Sequence, residues 1–228
     1  EHTLAYRGCF YPTPLPDGAT PWCNGSGKGG WLADHFAPKS IVRVGDFMYL
    51  TAMCEAADGV IKCDKDLGKL WGTRQYVFNT PFTSAADGGF YYGWKNGFKK
   101  IDSVSNAALG VRTKANGGGG FAVIDGIAYV CAKDKVEVWD FHDGAAVTDQ
   151  PLDEIAVADP TAIRRTAKKT LVLFSGNDIV ALDPKAKAVT TLVKDAVKKR
   201  GGLAVREDGL LAAGDMETDQ VILCRGGK

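Results

Sequence analysis

The chain has 228 residues, of which 45% are hydrophobic and 24% charged, with a formal net charge of +1. This is the make-up of a folded domain with a sizeable core, and the near-neutral balance leaves no electrostatic footprint for nucleic acid or an anionic membrane surface. No apolar run approaches the ~20 residues of a membrane-spanning helix, and a chain that opens on Glu1 rather than Met is expected to be processed, trimmed or part of something longer.

The first element is a strand, "TLAYRGCF" (Thr3–Phe10). A long connection, Tyr11–Ser40, follows it and is rich in Pro and Gly. Cys9 and Cys23 bracket the loop "YPTPLPDGATPW" and form a candidate disulfide, which would add ~3 kcal/mol for a loop of that length. "NGSG" (Asn24–Gly27) matches a glycosylation acceptor, a short pattern that also arises by chance. The connection carries Trp22, Trp31 and the pair Asp34–His35.

From Ile41 onward one unit repeats. A short strand (A) meets a Gly/Asp turn and then an apolar strand (B): "IVRVGDFMYLTA", "FTSAADGGFYYGW", "FAVIDGIAYVCA", "AIRRTAKKTLVLFS" and "LAVREDGLLAAG". The fourth copy lacks Gly at the turn. Strand C follows as "VIKCD", "FKKID", "VEVWD", "IVALD" and "VILCR", whose last residues are spaced 38, 38, 43 and 42 apart. A fourth segment (D) is predicted in the first four units: "KLWGTRQYVF", "ALGVRTK", "AAVTDQPL" and "KAVTTLVKD". Helix signals are nearly absent; the best, "LVKDAVKKR" (Leu192–Arg200), predicts two turns at most. Its tail "VKKR" reads as a solvated loop.

Four short strands per ~40 residues is the period of β-propeller blades. A blade sheet cannot bury both faces alone, and packing blades about an axis buries them. The expected fold is all-β: a propeller of about five four-stranded antiparallel blades, at 41–78, 82–113, 121–152, 162–195 and 203–225, in one domain spanning 1–228. The fifth unit has no strand D, and Thr3–Phe10 is the segment expected to complete it and close the ring, unless the chain is a fragment of a larger propeller.

The hairpin "CDKDLGKLWG", with Asp64, Gly68, Lys69 and Trp71, resembles the repeat of quinoprotein-like (pyrroloquinoline-quinone-type) propellers. Asp183 with Pro184 resembles the hairpin shared by quinoprotein-like and NHL-type blades. The resemblance covers the repeats and not the first 40 residues. It implies fold rather than chemistry. With no adjacent-Cys pair, a quinone cofactor is not implied, and none is expected. His2, His35 and His142 are scattered and no C-x-x-C occurs, so no metal site is expected either.

The repeat makes Cys63, Ile101, Trp139, Leu182 and Cys224 equivalent, and a position shared by Trp and Leu is a packing position. Cys63 and Cys224 therefore read as core thiols. A cross-strand disulfide between Cys54 and Cys63 is the alternative for that pair.

In a propeller the D–A and B–C connections emerge on one axial face. That face collects Trp22, Trp31, Asp34, His35, Trp94, Lys95, Lys133 and Asp134. The ligand-binding candidates are Trp31, Asp34, His35, Trp94 and Lys95, with Arg43 on strand A. An exposed Trp beside polar groups can hold a sugar ring or a peptide, although packing of the loop core explains the same residues. Adjacent Asp and His side chains diverge, so His35 would need a partner from another loop. The expected function is a non-enzymatic binding or scaffold module with a protein or carbohydrate partner, in an extracytoplasmic (periplasmic or secreted) setting and attached to further domains. A carbohydrate-active or quinoprotein-like enzyme is the alternative. Strand A carries no carboxylate in any copy, only Arg43, Arg164 and Arg165, which argues against a paired-acid glycosidase.

Overall fold

A computed structural model describes residues 37–44, 46–54, 57–63, 69–74, 82–84, 89–94, 97–102, 108–111, 120–141, 150–206 and 208–225, with side chains from 120 onward and at 46–47. The expected N-terminal strand and residues 11–36 of the expected long connection, including Trp22, Trp31, Asp34 and His35, lie outside them, whereas Ala37–Ser40, expected as connection, belong to the first strand. The chain forms two compact units, Glu1–Val77 and Phe78–Lys228. All described secondary structure is β.

The first unit holds one sheet, β1 (Ala37–Val44), β2 (Phe47–Cys54), β3 (Ala57–Cys63) and β4 (Lys69–Arg74), paired antiparallel in chain order. Its register pairs Cys54 with Ala57 and Cys63 with Met48. The two cysteines therefore stand at opposite ends of the hairpin, about 20 Å apart at ~3.3 Å per residue. A disulfide needs Cα atoms within ~7 Å, so the Cys54–Cys63 bridge is ruled out.

The second unit holds four sheets. They are β5–β8 (Phe82–Ser84, Gly89–Trp94, Gly97–Asp102, Ala108–Val111), β9–β12 (Phe121–Ile124, Ile127–Ala132, Lys135–Asp140, Asp153–Ala156), β13–β16 (Pro160–Arg165, Leu171–Ser175, Asp178–Asp183, Ala188–Val193) and β17–β19 (Arg200–Val205, Leu210–Asp215, Gln220–Arg225). Each is a meander whose first strand is an edge. These first strands lie side by side in the order β5, β9, β13, β17, as the innermost strands of successive blades do.

Strand alternation explains why the sheets stack. In β9, Phe121 and Val123 point to one face and join Ala128, Val130, Trp139 and Phe141. Ala122 and Ile124 point to the other and meet Leu171 and Leu173 of β14. The even residues Val172 and Phe174 of β14 pack instead against Leu203, Leu211 and Cys224 of the fifth sheet. Both faces of the central sheets are buried, so their strands read as continuous apolar runs, "FAVI" and "LVLF". Each fully buried Leu or Phe here contributes about 1.5–3 kcal/mol. The equivalent positions Trp139, Leu182 and Cys224 are all buried, and Cys131 and Cys224 are free thiols. Asp125 and Gly126 turn β9 into β10 with φ of 49° and 75°, the two-residue turn that Asp-Gly favours.

Two expectations are corrected. The fourth strand of the third sheet is Asp153–Ala156, later than "AAVTDQPL". Ile155 is buried and pairs with Val136, whereas Leu152 is 59% exposed and Pro151 has no N–H for a ladder. The helix at Leu192–Arg200 does not form: β16 runs through Val193, a turn follows, and β17 starts at Arg200. Ala196 and Val197 are buried beneath this connection, so only the lysines of "VKKR" are fully solvated.

Candidate functional site

At one end of each sheet, strand B turns into strand C and the chain arrives from the preceding sheet. In the second unit this end is formed by Lys133–Asp134, Val157–Asp159, Gly176–Asn177, Lys194–Lys199 and Met216–Asp219. Lys133 and Asp134 thus occupy the turn expected for them. The segments are joined by hydrogen bonds, and Val157, Ala196 and Val197 also pack into the core. Val157 N donates to Asp134 O (3.3 Å), Gly176 N to Asp159 O (3.4 Å), Val197 N to Asn177 O (3.3 Å) and Met216 N to Lys199 O (2.8 Å). Ser175 Oγ donates to Ala158 O (2.9 Å), and Asp195 N donates to Asp178 Oδ1 (2.7 Å). Each incoming connection among the described residues Val157–Asp159 and Lys194–Lys199 is therefore tied to a B–C turn.

Two side chains add to this network. Arg200, the first residue of β17, donates through Nη1 to Asp159 O at 2.9 Å and pairs through Nη2 with Asp159 Oδ2 at 2.7 Å. It bridges the entrances of two inner strands. Asp215, the last residue of β18, is a buried carboxylate, only 5% exposed. It accepts from Lys198 N and Lys199 N (3.1 Å each) and from Glu217 N (3.0 Å). Burial pushes its carboxyl upward, but the backbone N–H donors of Lys198, Glu217 and Lys199 outweigh it and bring it down to about 2. Neither residue is among the candidates that the sequence pattern marks. The only signal for Asp215 is an acid closing an apolar strand where the other copies end in Cys, Trp, Ala and Ser.

Of the binding candidates, Trp94 is the last residue of β6 and pairs with Gly97 across the B–C turn. Arg43 is the second-to-last residue of β1 and pairs with Met48 beside the A–B turn. It lies six residues along the strand from Ala37, where the long connection arrives, about 20 Å away. Lys95, Trp31, Asp34 and His35 lie outside the described residues. Among the described residues no group of three or more His, Cys, Asp or Glu side chains could hold a metal ion. No helix among them is long and apolar enough to cross a membrane.

No family model matches the chain, and no curated protein does. Solved structures do. A component of the nidogen/laminin complex superposes with a TM-score of 0.60 at 13% identity, covering 85% of this chain and 78% of that one. Virginiamycin B lyase from Staphylococcus aureus, solved with quinupristin, gives a TM-score of 0.56 at 16% identity, covering 81% and 64%. An extracellular domain assigned to a hybrid two-component system of B. thetaiotaomicron gives 0.51 at 12% identity, covering 84% of this chain but 31% of that one. The chain thus spans about a third of the length of that domain. These likenesses, with the repeated four-stranded meanders, make this a β-propeller repeat protein.

Proposed function

We propose that this propeller is a non-enzymatic binding module that holds a protein or carbohydrate ligand on the face where the D–A and B–C connections emerge. The observation that carries the reading is the tie between each described connection on that face and its neighbouring turn. A pre-ordered loop surface binds without first losing entropy to ordering. Trp31, Asp34, His35, Trp94 and Lys95 belong to connections or strand ends that reach this face by their place in the repeat. Arg43 joins them only if a ligand extends down the inner strand. The inner strands "APKSIVRV", "FTS", "FAVI", "PTAIRR" and "RGGLAV" bear no carboxylate, which favours binding over acid-pair hydrolysis. The nidogen and extracellular-domain neighbours support an extracytoplasmic setting and attachment to further domains.

Closure of the propeller belongs to the same proposal. The fifth sheet has three described strands where the others have four, and its outer strand exposes Val221 (69%) and Leu223 (63%). Thr3–Phe10 is the segment of this chain suited to pair with that edge. Deleting residues 3–10 should lower the melting temperature and speed amide exchange in β19; an unchanged β19 would exclude this closure.

A glycan array and a panel of extracellular proteins, probed with the full chain, test the function. Trp31→Ala and Trp94→Ala should each weaken a bound ligand by at least ~10-fold, as loss of an aromatic anchor does. Arg206→Ala, at the opposite end of the fifth sheet, should leave binding unchanged. Equal loss in all three would remove the axial face from the reading. Turnover of a bound glycan would replace the binding module by an enzyme.

A further inference from the structure

Asp159 ends the connection into the fourth sheet with φ +43°, although Pro160 follows it. Proline pushes the residue before it towards extended backbone, and a non-Gly residue keeps a left-handed φ where its surroundings hold it there. The hold on Asp159 comes from the next sheet. Arg200 Nη1 donates to Asp159 O at 2.9 Å and to Thr161 Oγ1 at 3.4 Å, while Nη2 pairs with Asp159 Oδ2 at 2.7 Å. One guanidinium thus grips the carbonyl and the carboxylate of the same residue. Asp159 O also accepts from Gly176 N at 3.4 Å, and Ser175 Oγ donates to the preceding carbonyl, Ala158 O, at 2.9 Å. Releasing Asp159 therefore loosens the tie between this connection and the β14–β15 turn.

The connection into the fifth sheet is fastened differently. Its anchor, Asp215, is 5% exposed and accepts from backbone N–H groups of Lys198 and Lys199. In the Arg200–Asp159 pair the side chains are 28% and 62% exposed. Salt screens a pair in that position far more than it screens a buried group. One face thus carries one fastening that salt can weaken beside one that it leaves alone.

We propose that Arg200 and Asp159 form a salt-sensitive latch on the face where the D–A and B–C connections emerge. Latched, Asp159 is left-handed and Val157–Asp159 stay tied to the B–C turns. Unlatched, Asp159 relaxes to the extended backbone that Pro160 favours, and the surface at the fourth sheet loses its order. As a control on binding, the latch rests on the reading of this face as a pre-ordered ligand surface. As a two-state element of the backbone, it is measurable without any ligand.

The experiment is amide hydrogen exchange of the full chain at ~0.1 M and ~1 M sodium chloride, a range over which the Debye length falls from ~10 Å to ~3 Å. Gly176 N–H reports the latch, and Val157 N–H, which donates to Asp134 O, reports the connection. Both should exchange at least ~3-fold faster in the wild type at high salt, as a screened ion pair requires. Lys198 N–H and the amides of β14 should not follow. At low salt, Arg200→Met should speed exchange at Gly176 at least ~10-fold, the loss expected for a charge-assisted bidentate contact, and should abolish the salt response. Adding Pro160→Ala should restore part of the protection, because it removes the preference that draws Asp159 towards extended backbone. Equal acceleration at Gly176, Lys198 and β14 would make Arg200 a stabiliser of the whole fold and overturn the latch. Salt-indifferent exchange at Gly176 in the wild type would overturn it too, whether or not the variant folds. A salt-responsive Gly176 in a chain that captures no glycan or protein would leave the latch standing and remove the ligand reading alone.

Discussion

Asp215 and Lys199 are joined twice: Lys199 N donates to Asp215 Oδ1 at 3.1 Å, and Lys199 O accepts from Met216 N, the residue after Asp215, at 2.8 Å. A strand end and the connection entering the same sheet thus close a ring of hydrogen bonds around one carboxylate. The ring fixes the start of β17 relative to the β18–β19 turn, on the face proposed to hold a ligand.

The first prediction concerns this carboxylate. Its pKa falls from 3.8 to about 2 on folding, because burial is outweighed by the N–H groups that favour the charged form. A depressed carboxyl contributes stability that is present above its unfolded pKa and lost as pH drops through the folded value. Asp215→Asn should therefore melt ~3–6 °C below the wild type at pH 7. The gap should shrink between about pH 4 and pH 2. Melting curves across that window check it; a gap that ignores pH would locate the effect in packing alone.

Backbone geometry sets the second. Gly120 has φ +109°, and a Cβ there meets Ala162 N at 3.3 Å and Ile163 N at 3.4 Å. Gly209 has φ +85° with open space around it. Gly120→Ala combines strain with a contact against backbone that cannot swing aside, and should cost about 2–3 kcal/mol. Gly209→Ala should cost about 1 kcal/mol through strain alone. Urea unfolding of the two variants gives the order, and a reversed order would refute this account of the close approach.

How far the sequence could be read follows from what each feature depends on. Strands A, B and C were legible because period-2 apolar runs between Gly/Asp turns are local signals, and Trp139, Leu182 and Cys224 emerged as one buried position from spacing alone. Strand D of the third sheet was misplaced because it is short and its outward positions, Glu154 and Ala156, are exposed, so only Ile155 marks it. The Leu192–Arg200 helix failed because Ala196 and Val197 are buried by the neighbouring sheets, a tertiary demand that no local pattern announces. Asp215 and Arg200 take their character from the backbone groups they meet, to which pattern gives no access. Trp94 could be placed at its turn from the repeat, while Arg43 required the register of β1 against β2 to show which end of the strand it occupies.

The third prediction separates the inter-sheet core from the outer edge. Phe174 and Leu173 are fully buried and face different neighbouring sheets. Phe174→Ala should cost ~3–5 kcal/mol and Leu173→Ala ~2–5 kcal/mol, since each leaves a cavity. Leu223 is 63% exposed on β19, and Leu223→Ala should stay within ~0.5 kcal/mol if that face is solvated. Chemical denaturation of the three variants measures this. A large loss at Leu223 would instead mean that this face of β19 is covered.

The last prediction concerns thiols. Burial pushes the Cys131 thiol up to about 12, against the lowering effects of the Ile163 backbone and Arg164. Its nucleophilic thiolate is then negligible at pH 8, and alkylation must wait for the strand to open. Iodoacetamide should label Cys131 in the folded protein at least ~100-fold more slowly than in urea. Cys224, buried against the fourth sheet, should be protected by the same packing. Peptide mapping of the unreduced protein should also recover Cys54 and Cys63 on separate peptides, because the β2–β3 register holds them at opposite ends of the ladder. Rapid labelling of Cys131 would contradict the packing of β10 against β13, and a Cys54–Cys63 crosslink would contradict the register.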